Sequence, residues 1–579
     1  MPSFLSTLKN MLTFQEPARS EGFILTEDPA ESITPPGGPV EEAPPQADGG
    51  KAFKQPRPLG VRRTGPEPGP AATDTQKPAG NLAGVRKQLE TIYGSPADAG
   101  LILRDFFLGS QPPQAMLAVY RQGMAGKDKV AFVLRELMYC EGTKVDPAAG
   151  PTPDYVAAHL LPGAKLETQA DWSKLTQHLN AGDTVLFGEG WTRALVVNTA
   201  QVTHRSLADP KREQVIRGAY EAFGEDLDTN LALVRNLLRT EKLAAKKVVI
   251  GSLSATPVVM VYLAGLASPK LVAEVWRRLN GIEIDYLNDS GLLEQLIEDN
   301  PYSPHPQMTA TERPDRVAAL LAEGRVAILS GGNPHVLVAP ATLYELLHTS
   351  EDMYLRWPYG NWVRLIRNLA FYTSFLLPGI YLAVVLFHQE MVPMDLLLSL
   401  AGAREKVPFP SLMEVIIMEI SFELIREAGE RAPGLLGNTI GIVGALILGQ
   451  AAVQAAIVSP ILIIIVAITG LANFAIPDYS MAFSVRILRF FYILLGASLG
   501  FLGIALGLCL HMTAVANLKS FGVPYLAPVS PQTVTGRDVF WRGPVWRMER
   551  RPDYLGVQRG RRQPPVARQW DPPREKPGR

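Results

Sequence analysis

The side chains in the most unusual setting of this 579-residue sequence are the carboxylates of PFPSLMEVIIMEISFELIREAGER, residues 408–431. Glu414, Glu419, Glu423 and Glu427, with Arg426 and Arg431, interrupt turns otherwise dominated by Leu, Ile, Met, Val and Phe. As a helix over 412–428 at 100° per residue, Glu419, Glu423, Arg426, Glu427 and Glu430 share one side. Leu412, Met413, Ile416, Ile417, Ile420 and Leu424 take the other. Glu419–Glu423 and Glu423–Glu427 are like charges four apart, which Arg426 and Arg431 can offset. Two readings fit. One is an interfacial amphipathic or re-entrant helix whose acidic side meets water; the other is a ring of gating or mouth charges built when channel subunits assemble. Acid–base catalysis and metal binding do not fit, because no His or Cys accompanies the carboxylates.

Just beyond lies a stretch of 24 residues without a charge, Gly434–Ile457. At 1.5 Å per residue it is long enough to cross a bilayer. Gly437, Gly441, Ala445 and Gly449 recur every four residues, a small-residue ridge that admits another helix closely. Thr439, Val443, Leu446, Gln450 and Gln454 form the opposite stripe, whose amides and hydroxyl disfavour lipid. Polar ends around Val443 and Leu446 suit a pore with an apolar barrier that gates by dewetting. Ordinary interhelical hydrogen bonding suits the same stripe.

The elements that must position these groups follow from hydropathy. Further spans are expected at 365–387, 461–476 and 487–513, the last with a glycine ridge at Gly496, Gly500, Gly503 and Gly507 read as packing. Arg367 lies within a turn of its span's start and can snorkel. Basic residues before the first span and after the last place both ends on the cytoplasmic side. That requires an even number of crossings, met by four if 412–428 does not cross. Arg486 and Arg489 would then sit on the outer side. Residues 356–516 are thus a transmembrane domain, followed by a basic cytoplasmic tail, 517–579, in which Pro531–Arg579 carries 12 Lys+Arg against 5 Asp+Glu.

Ahead of the membrane part an internal repeat is visible. Phe106–Gly109 matches Val248–Gly251, Val119–Ala125 matches Val261–Ala267, and Leu179, Gly182 and Gly190 match Leu321, Gly324 and Gly332, always 142 residues apart. Each copy reads strand, strand, helix, insert, helix, strand, strand. The fold class is therefore an α/β soluble module of two tandem similar subdomains, 82–215 and 241–355, joined by a helical connector, 216–240, and followed by an α-helical transmembrane domain. Residues 1–81 are expected to be a disordered arm, with 12 prolines in residues 29–80.

Composition excludes several functions. A net charge of zero gives no argument for nucleic acid. Cys140 and Cys509 form no CxxC pair or ligand cluster, so neither a disulfide framework nor a zinc site is expected. Residues 1–20 show no signal-peptide core. In the soluble part GxxxxGK[ST], HExxH and GxSxG are all missing, and no cofactor is implied. His305 and His335 have no partner at ligand spacing. In TERPDR, Thr311 is a plausible N-cap of a helix, and Glu312, Arg313, Asp315 and Arg316 read as structural ion pairs or a subunit contact.

The chain resembles the A subunit of the GerA-type spore germination receptors over roughly Phe106–Leu555. The resemblance is densest at Arg217–Gly218, Tyr262–Gly265, Ile282–Asp285, Thr311–Arg316, Pro408–Pro410, Arg426–Gly429, Gly441–Gly444 and the tail piece RDVFWRGPVWRMERRPDYL. It implies a subunit of a nutrient receptor in the inner membrane of a bacterial endospore, a homo-oligomer forming a ligand-gated cation channel in lipid. The expected partners are a transporter-like B subunit carrying the germinant pocket and a C-subunit lipoprotein. Gly251–Thr256 and Ser330–Pro334 depart from the family pattern, where a charged residue is more usual. Two rival readings stay open: a membrane-anchored scaffold for other germination proteins, and a transporter or lipid-precursor translocator.

Overall fold

The structure, a computed structural model, describes residues 78–564 apart from 79, 96–99, 111–112, 140–151, 162, 164, 201–209, 211–212, 214, 432–448, 534–537 and 539–540. The chain forms two compact units, one of Thr26–Val202 and one holding Thr203–Arg579.

The first unit runs α1 (Leu82–Tyr93), β1 (Leu101–Leu108), β2 (Gln114–Arg121), α2 (Lys127–Met138), β3 (Leu166–Gln169), α3 (Trp172–Ala181), β4 (Thr184–Gly188) and β5 (Ala194–Val197). Its strands make one antiparallel sheet in the order β1-β2-β4-β5-β3. Successive side chains of a strand leave on opposite faces, so each face of the sheet needs its own cover. Leu117 and Val119 of β2 pack under α1 and α3 with Val85, Leu89, Leu175 and Leu179. Met116 and Ala118 of the same strand pack under α2 with Val130, Val133 and Leu137.

The second unit opens with the same design. It runs α4 (Leu227–Leu237), β6 (Leu243–Ile250), β7 (Thr256–Leu263), α5 (Pro269–Asn280), α6 (Ser290–Ile297), β8 (Thr309–Thr311), α7 (Pro314–Glu323), β9 (Val326–Ser330) and β10 (Val336–Ala339). The sheet order is β6-β7-β9-β10-β8. The repeat holds residue by residue. Leu101 pairs with Arg121 and Leu243 with Leu263, and 243 − 101 and 263 − 121 are both 142. α3 and α7 end on left-handed glycines at the matching positions, Gly182 (φ 98°) and Gly324 (φ 102°), where a side chain would be strained.

Three details differ from the sequence reading. Each copy contains a further edge strand, β3 or β8, too short and polar to announce itself as LETQ or TAT. The connector is helical only over Leu227–Leu237. Thr311 does not cap a helix: it closes β8 and accepts the Arg313 N–H at 3.2 Å, while α7 starts at Pro314, whose missing N–H is not needed there.

The helical part holds α8 (Trp357–Phe387), α9 (Met394–Arg404), α10 (Ser411–Arg431), α11 (Pro460–Phe474) and α12 (Tyr479–Asn517). α8 and α12 are long and apolar enough to cross a membrane; α11 is a shorter apolar helix. α12 is not one rod. Gly500 breaks it at φ 60°, ψ −140°, a backbone state open to glycine alone. The chain turns back there, so that a Cβ on Gly503 would lie 2.3 Å from the Leu495 carbonyl oxygen and one on Gly507 would meet Tyr492 and Leu495. A first arm, 479–499, and a second, 501–517, therefore lie side by side. The span expected at 487–513 is a hairpin. Gly496 serves a different contact, with its backbone against Gly379 of α8.

The segment after α12 returns to the second α/β copy. Ser520 Oγ donates to the Gln307 carbonyl at 2.5 Å, Tyr525 OH to that of Pro306 at 2.9 Å, and Arg551 Nε to that of Ala322 at 2.7 Å. Much of the stretch read as a basic tail is thus part of the folded unit.

Candidate functional site

α10 turns Glu419 and, in part, Glu423 and Arg426 of its charged side inward, while Glu427 and Glu430 stay exposed. Glu414 and Glu419 are buried, whereas Met413, Ile420 and Leu424 on the apolar side are exposed. An interfacial helix would keep its acids in water; here Glu414 and Glu419 are withdrawn from it.

The buried carboxylates have specific partners. Arg489, on the first arm of α12, donates from Nη1 to Glu419 Oε2 at 2.6 Å and from Nε to the Ser374 carbonyl of α8 at 2.8 Å. Glu423 lies 3.4 Å from Arg486 Nη1 and 3.9 Å from Arg489 Nη1, and it pairs with Arg426 one turn on. Arg426 also faces Glu430 at 4.0 Å, and Glu430 accepts the Tyr479 hydroxyl at 2.9 Å. The Asn473 amide, oriented by its partners, accepts from Arg426 and donates to the Ala482 carbonyl. Glu419, Glu423 and Glu430 are thereby balanced by Arg426, Arg486 and Arg489, three charges against three, across α8, α10, α11 and α12. Such a network fixes helix positions more than it adds stability, because desolvation consumes most of the Coulomb gain. Glu427 and Arg431 form a solvent-exposed pair of small energetic consequence.

Glu414 has a separate role at the other end of α10. It accepts the Ser459 N–H at 3.1 Å and stands 3.6 Å from Arg404 Nε, tying the start of α10 to the cap of α11.

Of the proposed pore stripe, Thr439, Val443 and Leu446 lie outside the described residues, as do Gly437, Gly441 and Ala445 of the ridge. Gln450 and Gln454 are exposed and Gly449 is buried, its near neighbour being Ile463.

The TERPDR side chains gather at the foot of the helices. Arg313 donates to Asp315 from Nε and Nη2 (3.1 and 2.7 Å) and to the carbonyls of Glu213 and Ala219 (3.1 and 3.0 Å). Arg316 reaches Glu213 at 2.9 Å, and Glu312 accepts the Glu213 N–H at 3.0 Å. Asp315 accepts the hydroxyl of Tyr354, just ahead of α8. From there Asp352 continues the chain of contacts to Arg364 at 3.1 Å and Arg367 at 2.8 Å, and Arg364 takes Asp538 as well. Arg367 does not snorkel; it is paired. Burial pushes the Asp352 carboxyl up, but the Arg367 hydrogen bond and the charges of both arginines outweigh it, and its pKa lies below the usual carboxylate range. Hydrogen bonds thus link Asp315 and Arg316 to Tyr354 and His348, ion pairs of Asp352 continue into α8, and α8 meets Arg489 through the Ser374 carbonyl.

Sequence reasoning missed two features of this region. Four crossings put Arg489 on the outer side and name no partner for it, yet it is buried on Glu419. His305 was left without a partner, yet it meets His511, 206 residues away. No local spacing encodes either contact. Among the described residues, no cluster of three or more His, Cys, Asp or Glu is arranged to hold a metal.

Two α/β copies of one design, the second joined by hydrogen bonds and ion pairs to a bundle of apolar helices, define the class: a membrane-associated protein with a folded part ahead of its hydrophobic helices. Within that class the chain belongs to the family of Bacillus/Clostridium GerA spore germination proteins, whose sequence profile matches residues 87–554. It is 37% identical over 493 residues to spore germination protein KA of Bacillus subtilis (strain 168), covering 84% of this chain and 89% of that one. It is 43% identical over 385 residues to membrane protein YfkQ of the same organism, covering 66% and 75%. The N-terminal domain of the A subunit of the Bacillus megaterium germinant receptor GerK3 is 28% identical, with TM-score 0.37 and coverage of 46% and 98%.

Proposed function

We propose that the chain is the A-type membrane subunit of a nutrient germinant receptor that starts spore germination. Family membership over residues 87–554 is the observation that carries this reading. On it, copies of the chain assemble in the inner membrane of the spore around a cation path lined by the 434–457 helix, with Val443 and Leu446 as the barrier. A transporter-like B subunit and a C-subunit lipoprotein complete the receptor. The route of hydrogen bonds and ion pairs from α7 to α8 and Arg489 gives the second α/β copy a mechanical connection to the helices.

The same reading revises the crossing count. Tyr479 lies beside Glu430 and Ser459 beside Glu414, at opposite ends of a helix about 30 Å long, so α11, which runs between Ser459 and Tyr479, lies along α10. Each arm of the α12 hairpin is itself about 25–31 Å long, near the bilayer's hydrocarbon thickness. With α8, 434–457, α11 and two arms crossing, α10 becomes the sixth span. Six is even, in keeping with the contacts of Ser520, Tyr525 and Arg551 with the second α/β copy, and both ends then face the cytoplasm.

The test is replacement of Val443 or Leu446 by serine. The expected outcome is leakage of monovalent cations and germination without nutrient. Variants that accumulate normally, respond normally and leak no ions would overturn the reading.

A further inference from the structure

Where the second arm of α12 meets the α/β module, two imidazoles face each other in a dry setting. His305 Nε2 and His511 Nε2 are 2.9 Å apart, with ring planes 7° from parallel, and His511 Nδ1 stands 3.1 Å from the Tyr492 hydroxyl. Both histidines are buried, at 4% and 8% exposure. His305 lies in the loop between α6 and β8, so this contact joins the module to the hairpin.

At 2.9 Å the two nitrogens share one proton, and a second between them would clash. The relay ends at His305 Nδ1, which is buried and has no hydrogen-bond partner. A proton added there would create a charged donor with nothing to receive it, close to a second ring. The other groups around the pair offer no compensating negative charge. α8 presents Phe375, the first arm Tyr492, and the returning segment Tyr525, whose ring centroid is 6.1 Å from that of His305 and whose hydroxyl is committed to the Pro306 carbonyl. Of the carboxylates in this region, Asp478, Glu294 and Glu345 act on Tyr525.

We propose that His305 and His511 form a proton-sensitive latch, closed when both rings are neutral and released from the module when either takes up a proton. Burial, and then the neighbouring His511, lower the His305 pKa to about 3, from an ordinary value near 6.5. A group whose pKa is depressed in the closed form contributes stability that is complete above its ordinary pKa. That stability is lost as the pH falls from about 6.5 towards 3, by about tenfold in the opening equilibrium per pH unit. The nearby carboxylates act in the opposite sense. Burial first, and then the charge of Asp478, raise Glu294 to about 7; burial raises Asp478 to about 6, so both favour the closed form as the pH falls. Acid opening of this junction therefore has to come from the imidazoles.

The full chain in lipid nanodiscs, followed by hydrogen–deuterium exchange corrected for the intrinsic pH dependence, tests this. Protection of peptides covering 299–308 and 511–527, taken relative to His305→Gln/His511→Gln so that the contribution of the carboxylates cancels, should fall about tenfold between pH 6 and pH 5. A native-to-variant ratio that does not change with pH would overturn the latch. Should the double variant fail to accumulate, His305→Gln alone, which leaves one titrating ring, should reduce the acid-dependent loss, and an unreduced loss would overturn the latch.

Discussion

Arg489 Nη1 and Glu419 Oε2 meet at 2.6 Å, with both side chains essentially withdrawn from the surface. The same guanidinium holds the Ser374 carbonyl, so one residue of the α12 hairpin fixes the relative positions of α8 and α10. A backbone acceptor on one helix and a carboxylate on another make this contact a register device.

Removing one partner leaves the other charged and buried. Arg489→Ala and Glu419→Ala are each expected to cost about 3–5 kcal/mol, while the apolar pair Arg489→Met/Glu419→Leu should recover most of that loss. Thermal unfolding of the full protein in nanodiscs, analysed as a double-mutant cycle, measures the coupling. Single variants as stable as the native chain would show that the pair is not buried.

The turn at Gly500 separates two geometries cleanly. Residues 495 and 507 are 12 apart in sequence, about 18 Å along a straight helix, but Gly507 lies against Leu495 in the hairpin. With Cys140 and Cys509 replaced by serine, Leu495→Cys/Gly507→Cys should form an intramolecular disulfide under mild oxidation, seen by mass spectrometry. Free thiols in the folded protein would favour the straight rod. Gly500→Val should abolish the cross-link, since φ 60° strains any side chain and a Cβ there would lie 3.0 Å from the Phe387 Cβ and His388 Cε1.

The repeat was legible because its signals are local: apolar alternation in β2 and β7, and glycines where the chain must take a left-handed turn. Its register, helices and sheet-order partners follow from those same positions. The charged side of α10 was legible as a side, but its direction was not, since the pattern of an amphipathic helix is the same whether protein or water faces its acids. The hairpin was hidden because Gly496, Gly500, Gly503 and Gly507 read as one packing ridge. Only the backbone shows that Gly500 turns, while Gly496 packs on α8 and its two successors on the first arm. Arg489–Glu419 and His305–His511 depend on chain paths that periodicity does not carry.

The two matched glycine caps have acquired different neighbours, and this makes a discriminating pair of substitutions. A Cβ on Gly182 would lie 2.8 Å from the Met124 carbonyl oxygen; one on Gly324 would lie 2.3 Å from Val557 Cγ1, in the returning segment. Both glycines have φ near 100°, so alanine at either is expected to cost about 1–2 kcal/mol from the backbone alone. Gly324→Ala has the additional effect of pushing against Val557, whose neighbour Gln558 donates its N–H to the Leu266 carbonyl at 3.0 Å. Limited proteolysis of the full chain should therefore cut within 551–562 faster in Gly324→Ala than in Gly182→Ala, although both lower the unfolding temperature. Equal cleavage in the two variants would mean that the segment after α12 does not depend on its seat against α7.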